Sequence, residues 1–114
     1  MPDSQIELTA AEVDLKALMT QARAASELLK ALSHETRLLI LCLLTQGERT
    51  VSDLEHVLGL PQAAVSQHLA RLRSDDLVRA RRDGRMIHYS IARPEVTAVV
   101  GALHDAFCGT VAPR

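Results

Sequence analysis

The segment from Thr50 to Ile91 places the strongest constraint on the fold. It begins with two helical patterns, "VSDLEHVL" and "QAAVSQHLARLRS", separated only by "GLP". Thr50 and Asp53 form a capping box for the first helix. Gly59 can end that helix, and Pro61 is tolerated in the first turn of the next. The runs "LVRARR" and "RMIHYSI" then flank an Asp-Gly pair, which predicts a β-hairpin.

Two more helices are predicted before this segment. Thr9 with Glu12 forms a capping box, so we expect a long amphipathic helix to start at Thr9 and residues 1–9 to be loose. Ser33 is expected to begin a second helix, which contains "LLILCLL" and stops at Gly47. Because this helix is apolar almost all round, we place it in the centre of the domain.

A last helix is predicted to open at Arg93-Pro94 and to end near Gly109. One face of it is apolar and comprises Val96, Val99, Val100, Leu103 and Phe107. The predicted order is α-α-α-α-β-β-α, mainly α with a β-hairpin wing, in one domain of 114 residues. Two helices joined by a tight turn and followed by a hairpin define a winged helix-turn-helix.

The charge is divided unevenly although the net charge is only −1. Residues 1–35 are rich in acids, whereas residues 61–93 contain seven arginines against three aspartates. This favours an anionic partner for the second half, although two solvated faces of opposite sign would give the same composition. With one Tyr, one Phe and no Trp, the chain lacks the stacking residues of single-strand binders.

No signal peptide or membrane-spanning apolar run is evident, so we predict a cytoplasmic protein without a membrane partner. Thiols in that compartment are normally reduced, so two cysteines do not imply a structural disulfide.

The stretches "LSHETRL", "VSQHLARLR" and "LVRARRDGR" followed by "HYSI" resemble the ArsR (arsenic repressor) family of bacterial winged-helix repressors. The resemblance covers roughly residues 26 to 108. It implies a homodimer built from the first and last helices, bound to palindromic double-stranded operator DNA.

The residues expected to contact DNA lie on the second helix of the helix-turn-helix and on the wing. On the helix they are Gln62, Ala63, Ser66, Gln67 and Arg71, and on the wing Arg81, Arg82 and Arg85. Short polar side chains suit a helix in the major groove, Arg71 is expected to grip phosphates rather than bases, and an arginine of the wing is expected to enter the minor groove. The alternative for each arginine is a merely solvated charge. His68, beside the apolar face, is interpreted as structural.

Metal sensing is the alternative function that the family suggests. The cysteine-containing site of its arsenic sensors is absent from "VSDLEHVLG". The last helix offers His104, Asp105 and Glu95, but not at the ligand spacing of the family's zinc and cobalt sensors. His104 and Asp105 therefore remain weak metal candidates, and no cofactor is predicted. Histidines are available for haem, but their spacing does not support it.

The two cysteines are the preferred sensing residues. The placement of Cys42 on the second helix and Cys108 at the end of the last resembles the sulfide- and persulfide-responsive repressors of the family. That resemblance implies that reactive sulfur species or oxidants link the two thiols and lower the DNA affinity. The alternative is that Cys42, in an aliphatic run, only fills the core.

Two other classes of function are disfavoured. A thiol oxidoreductase is not expected, because the chain has no Cys-x-x-Cys and no strand-helix alternation around a cysteine. A winged-helix scaffold that never touches DNA is disfavoured by the arginines of the wing. We therefore predict a DNA-binding repressor and not an enzyme.

Overall fold

The computed structural model describes the backbone of residues 4–109 and the side chains of residues 14–107. The helices are α1 (Ser4–Leu32), α2 (Glu35–Leu44), α3 (Val51–Leu58), α4 (Gln62–Ser74) and α5 (Pro94–His104), and a π-helical turn (Asp105–Gly109) continues α5. The strands are β1 (Arg49–Thr50), β2 (Val78–Asp83) and β3 (Met86–Ile91). The predicted mainly α winged-helix order is confirmed, with β1 as an addition. None of the helices that the structure describes is long and apolar enough to cross a membrane.

The three strands form an antiparallel sheet in the order β1-β3-β2. Asp83 pairs with Met86, so the hairpin turn consists of Gly84 and Arg85. Gly84 has φ 64°, in the left-handed region that such tight turns require. β1 was missed because two residues show no periodicity.

The prediction that Thr9 caps the first helix is wrong, because α1 begins at Ser4 and passes through Thr9. The stretch "SQIEL" contains no Gly or Pro that would stop the helix earlier. Of the expected loose segment 1–9, residues 1–3 lie outside the described residues, and its mobility stays a prediction.

The prediction that Ser33 begins α2 is also wrong. Ser33 Oγ donates to the Lys30 carbonyl oxygen at 2.7 Å and so satisfies the end of α1. His34 is the N-cap, because its Nδ1 accepts a hydrogen bond from the Thr36 amide at 3.2 Å. The helix ends at Leu44, three residues before the predicted stop.

The core is aliphatic and centres on α2, as predicted for this helix. Its members from the described side chains are Leu28, Ala31, Leu32, Ile40, Leu41, Leu44, Leu54, Val65, Leu69, Leu72, Leu77, Val78, Val96 and Val100. From α1, only the last turns contribute among residues 14–32. The predicted apolar face of the last helix is only partly buried, because Val96 and Val100 are buried whereas Phe107 is 74% exposed.

Candidate nucleic-acid interface and thiol cavity

The turn between α3 and α4 is built as the sequence predicts. Thr50 Oγ1 accepts a hydrogen bond from the Asp53 amide at 3.1 Å and caps α3. Gly59 ends α3 with φ 67°, in the left-handed conformation that a side chain would disfavour. Pro61 is the N-cap of α4 rather than its first helical residue. These contacts fix the direction in which α4 leaves the domain.

α4 presents a polar face opposite its buried residues. Val65, Leu69 and Leu72 are buried, as predicted. On the outward side, Gln62, Ala63, Gln67 and Arg71 are exposed and Ser66 is half-buried. An exposed row of short polar side chains is the surface that a helix presents to the base edges of the major groove.

A groove of about 220 Å³ separates this face from the wing. Its lining comprises Thr50, Val51, Ser52, Glu55, Gln62, Arg85, Met86 and Ile87. The fold thus brings Gln62 of α4 and Arg85 of the hairpin turn to one groove, although they lie far apart in sequence. Glu55 adds one negative charge to that groove.

The predicted arginines fall into two groups. Arg82 and Arg85 are exposed, and neither makes an ion pair or hydrogen bond with a residue of the described range. Arg71 Nε lies 2.9 Å from Asp75 Oδ2, and Arg81 forms two hydrogen bonds with Glu48. Two of the arginines predicted to contact DNA therefore already have carboxylate partners.

His68 contacts His34 at the N-terminus of α2, with ring centroids 4.6 Å apart. Burial lowers the pKa of His68, and the nearby His34 and Arg37 lower it further. His68 thus belongs to the packing between α2 and α4, which agrees with its interpretation as a structural residue. The ring contact was missed, because its partners are 34 residues apart and share no motif.

Cys42 is half-buried on α2 and lines a cavity of about 270 Å³. The cavity also contacts Leu43, Thr45, Gln46, Val100, Gly101, His104 and Asp105. Its far wall is therefore the end of α5, and the π-helical turn that contains Cys108 starts there. The side chain of Cys108 lies outside the described residues.

The weak metal candidates lie at the same cavity. His104 Nδ1 is 3.7 Å from Asp105 Oδ1, which makes an ion pair when the histidine is protonated. Within the described part of the chain, no three His, Cys, Asp or Glu side chains are grouped so that they could hold a metal ion. Glu95 pairs instead with Arg93, at the opposite end of α5.

The terminal helices expose apolar side chains. On α1 these are Leu15, Leu18, Met19 and Leu29, each more than half exposed, and on the π-helical turn Phe107. Leu15, Leu18 and Met19 lie at helical spacing on one face. An apolar stripe of this kind is typical of a helix that packs against another chain.

A capped helix-turn-helix with an arginine-bearing β-hairpin beside its second helix defines a winged helix-turn-helix DNA-binding protein. The protein-family model described as "Bacterial regulatory protein, arsR family" matches residues 34–80 of this chain. The HTH-type transcriptional regulator YgaV of Escherichia coli (strain K12) is 42% identical over 83% of this chain and 97% of its own length. The chain belongs to the ArsR family of transcription regulators.

Solved structures agree with this assignment. Reduced HlyU from Vibrio cholerae superposes with a TM-score of 0.78 at 40% identity, covering 82% of this chain and 98% of that one. The transcriptional repressor BigR from Xylella fastidiosa gives a TM-score of 0.76 at 35% identity, covering 82% and 95%. The protein is a DNA-binding regulator and not an enzyme, as predicted.

Proposed function

We propose that the protein is a repressor that leaves its operator when reactive sulfur species or oxidants link Cys42 to Cys108. The observation that carries this proposal is the cavity between α2 and the end of α5. Cys42 stands on one wall, and Asp105, three residues before Cys108, belongs to the other. A linkage between these thiols would tie α2 to the last helix.

Persulfide chemistry supplies a balanced route to the link. The Cys42 thiolate attacks the outer sulfur of a donor persulfide, which gives a Cys42 persulfide and releases the donor thiol. The Cys108 thiolate then attacks the inner sulfur of that persulfide, forms the Cys42–Cys108 disulfide and expels HS⁻. If both cysteines are first persulfidated, the same displacement gives a trisulfide and HS⁻. With hydrogen peroxide as oxidant, the two thiols form the disulfide. The peroxide accepts the two electrons and, with the two thiol protons, becomes two molecules of water.

The proposed DNA surface consists of Gln62, Ala63, Ser66, Gln67, Arg82 and Arg85, with Arg71 and Arg81 beside them. It is supported by the exposed polar face of α4 and by the groove that Gln62 and Arg85 both line. A second copy of the chain, packed through the apolar residues of α1 and the end of α5, would provide the second recognition helix for a palindromic operator.

The release mechanism follows from where the link would form. The end of α5 would lie at the dimer contact and α2 lies at the centre of the core. Joining them would change the angle between the two recognition helices. A coupling of about 1–3 kcal/mol is typical of allosteric proteins and corresponds to a loss of DNA affinity from about fivefold to about 150-fold.

Intact mass after treatment of the reduced protein with a persulfide donor tests the link. A gain of whole sulfur atoms with loss of both thiols indicates a polysulfide bridge, and loss of two hydrogens indicates a disulfide. A Cys42→Ser variant should keep its operator affinity after the same treatment, as should Cys108→Ser. The proposal is wrong if both thiols of the treated wild type stay unmodified, or if the serine variants still release DNA.

The DNA surface needs a separate test with reduced protein. Gln67→Ala should weaken operator binding by about 1–3 kcal/mol if Gln67 reads a base. Gln21→Ala, at another exposed glutamine, on α1, is the matched control. Equal affinities for the two variants would remove Gln67 from the proposed surface.

A further inference from the structure

Glu48, Arg81 and His88 form a polar cluster across the sheet. Arg81 Nη2 donates to Glu48 Oε1 at 2.8 Å, and Arg81 Nε donates to Glu48 Oε2 at 3.1 Å. His88 Nδ1 lies 4.0 Å from Glu48 Oε1. The guanidinium group thus binds both carboxylate oxygens, in the bidentate geometry that gives the strongest contacts of this type.

The strand register explains why these residues meet. Arg81 pairs with His88, and Thr50 of β1 pairs with the same His88, so the three lie on one face of the sheet. Glu48 lies two residues before Thr50, so it is on the same face of the sheet. The ion pair therefore spans the sheet from the β1 edge to β2, over the central strand.

The same guanidinium donors that hold Glu48 are those that bind a phosphate. Arginine recognises carboxylate and phosphate with one planar pair of N–H groups, so the two ligands exclude one another. The hydrogen bond from Arg81 lowers the pKa of Glu48, and the bond to Glu48 raises that of Arg81, so both groups stay charged near neutral pH. Exposed ion pairs are usually weak, but bidentate pairs are the exception.

We propose that Glu48 is an internal competitor that withholds Arg81 from DNA phosphates, so that Arg82 and Arg85 provide the phosphate contacts of the wing. Arg82 and Arg85 have no acidic partner among the described side chains, whereas the positive charge of Arg81 is balanced by the carboxylate of Glu48. Glu48 also repels any phosphate that approaches. The inference rests on the proposed contact between the wing and DNA.

Removing the competitor should create one additional phosphate contact. Glu48→Gln should steepen the dependence of log affinity on log salt by about 0.9, which corresponds to about fivefold tighter binding at about 0.15 M salt. Glu27→Gln is the matched control, because it also removes one exposed carboxylate from an ion pair, with Lys30 on α1. The control should keep the wild-type slope.

The double variant Glu48→Gln with Arg81→Gln decides whether Arg81 is withheld in the wild type. It removes the pair without a change in net charge, so we expect the wild-type slope and affinity. A slope that is flatter by about 0.9 would show that Arg81 already contacts a phosphate and would overturn the proposal. The proposal also fails if Glu48→Gln binds DNA no more tightly than Glu27→Gln.

A third variant separates this inference from the proposed wing contact. Replacing both Arg82 and Arg85 by Gln should flatten the slope by about 1.8. An unchanged slope would mean that the wing does not touch DNA, and then both proposals fail. If the slope flattens but Glu48→Gln leaves DNA binding unchanged, the wing contact stands and only the proposal that Glu48 competes for Arg81 fails. Thermal unfolding of each variant checks that the sheet has kept its fold.

Discussion

The helix-turn-helix and the terminal helices differ in how far a single chain buries their apolar side chains. In α3 and α4, Leu54, Val65, Leu69 and Leu72 are fully buried, and both ends of α3 are capped. In α1, Leu18 and Met19 are 57% and 61% exposed. These four side chains of the helix-turn-helix are therefore covered within one chain, whereas α1 leaves apolar side chains exposed, and we propose that a second chain covers them. Substitutions should act on folding in the first region and on assembly in the second.

The largest effect is expected from Leu54→Ala in the helix-turn-helix. Leu54 is fully buried, so its truncation should lower the free energy of unfolding by about 2–5 kcal/mol, through lost burial and the cavity that remains. Leu18→Ala, at an exposed position, should change the stability of the monomer by about 0.5 kcal/mol or less. Urea denaturation at a dilution where the chain is monomeric measures both. Similar losses for the two variants would contradict the division into two regions.

The sequence predicted the helix-turn-helix better than it predicted the terminal helices. Capping and turn residues act within three or four positions, so Thr50 with Asp53, Gly59 and the Asp83-Gly84 pair can be recognised without the fold. At the start of α1 this failed, because Thr9 has the residue types of a capping box but nothing before it stops the helix.

The site could be predicted only as far as local patterns reach. The exposed face of α4 follows from helical spacing, and the structure confirms that Gln62 and Gln67 are exposed. The pairing of Glu48 with Arg81 spans 33 residues and depends on the strand β1, which is too short to show a pattern. The sequence therefore identified Arg81 as a cation but could not show that its charge is neutralised.

The second prediction concerns assembly. Leu18→Ser should weaken the proposed dimer by at least about tenfold. The dimer would bury only the exposed part of this side chain, which is about half of the 1.5–3 kcal/mol for a whole leucine, and a two-fold contact loses that amount twice. Sedimentation over a range of concentrations measures the dissociation constant. Thr20→Ser, exposed about 160° around α1 from Leu18, is the control. A dimer that is as stable in Leu18→Ser as in the control would exclude this face of α1 from the contact.

The third prediction returns to the helix-turn-helix with a smaller change. Thr50→Ala removes the side-chain oxygen that accepts the Asp53 amide, and should cost about 1 kcal/mol of stability. Thr50→Ser retains that oxygen and should recover most of the loss. Chemical denaturation compares the two variants with the wild type. If serine does not recover the stability, the methyl group of Thr50 and not the cap is responsible.

The smallest effect is expected from His68, which joins α2 to α4, and it depends on pH. Burial and then the neighbouring His34 and Arg37 lower its pKa from the ordinary value of 6.5, so the unfolded chain binds this proton more readily than the folded one. Stability associated with His68 is therefore present above about pH 6.5 and is lost as the pH falls towards the lower pKa of the folded state. His68→Gln should reduce this loss, and His56→Gln, exposed on α3, controls for the removal of a histidine. If stability falls equally in both variants between about pH 6.5 and pH 5, then proton binding at His68 does not make the packing between α2 and α4 depend on pH.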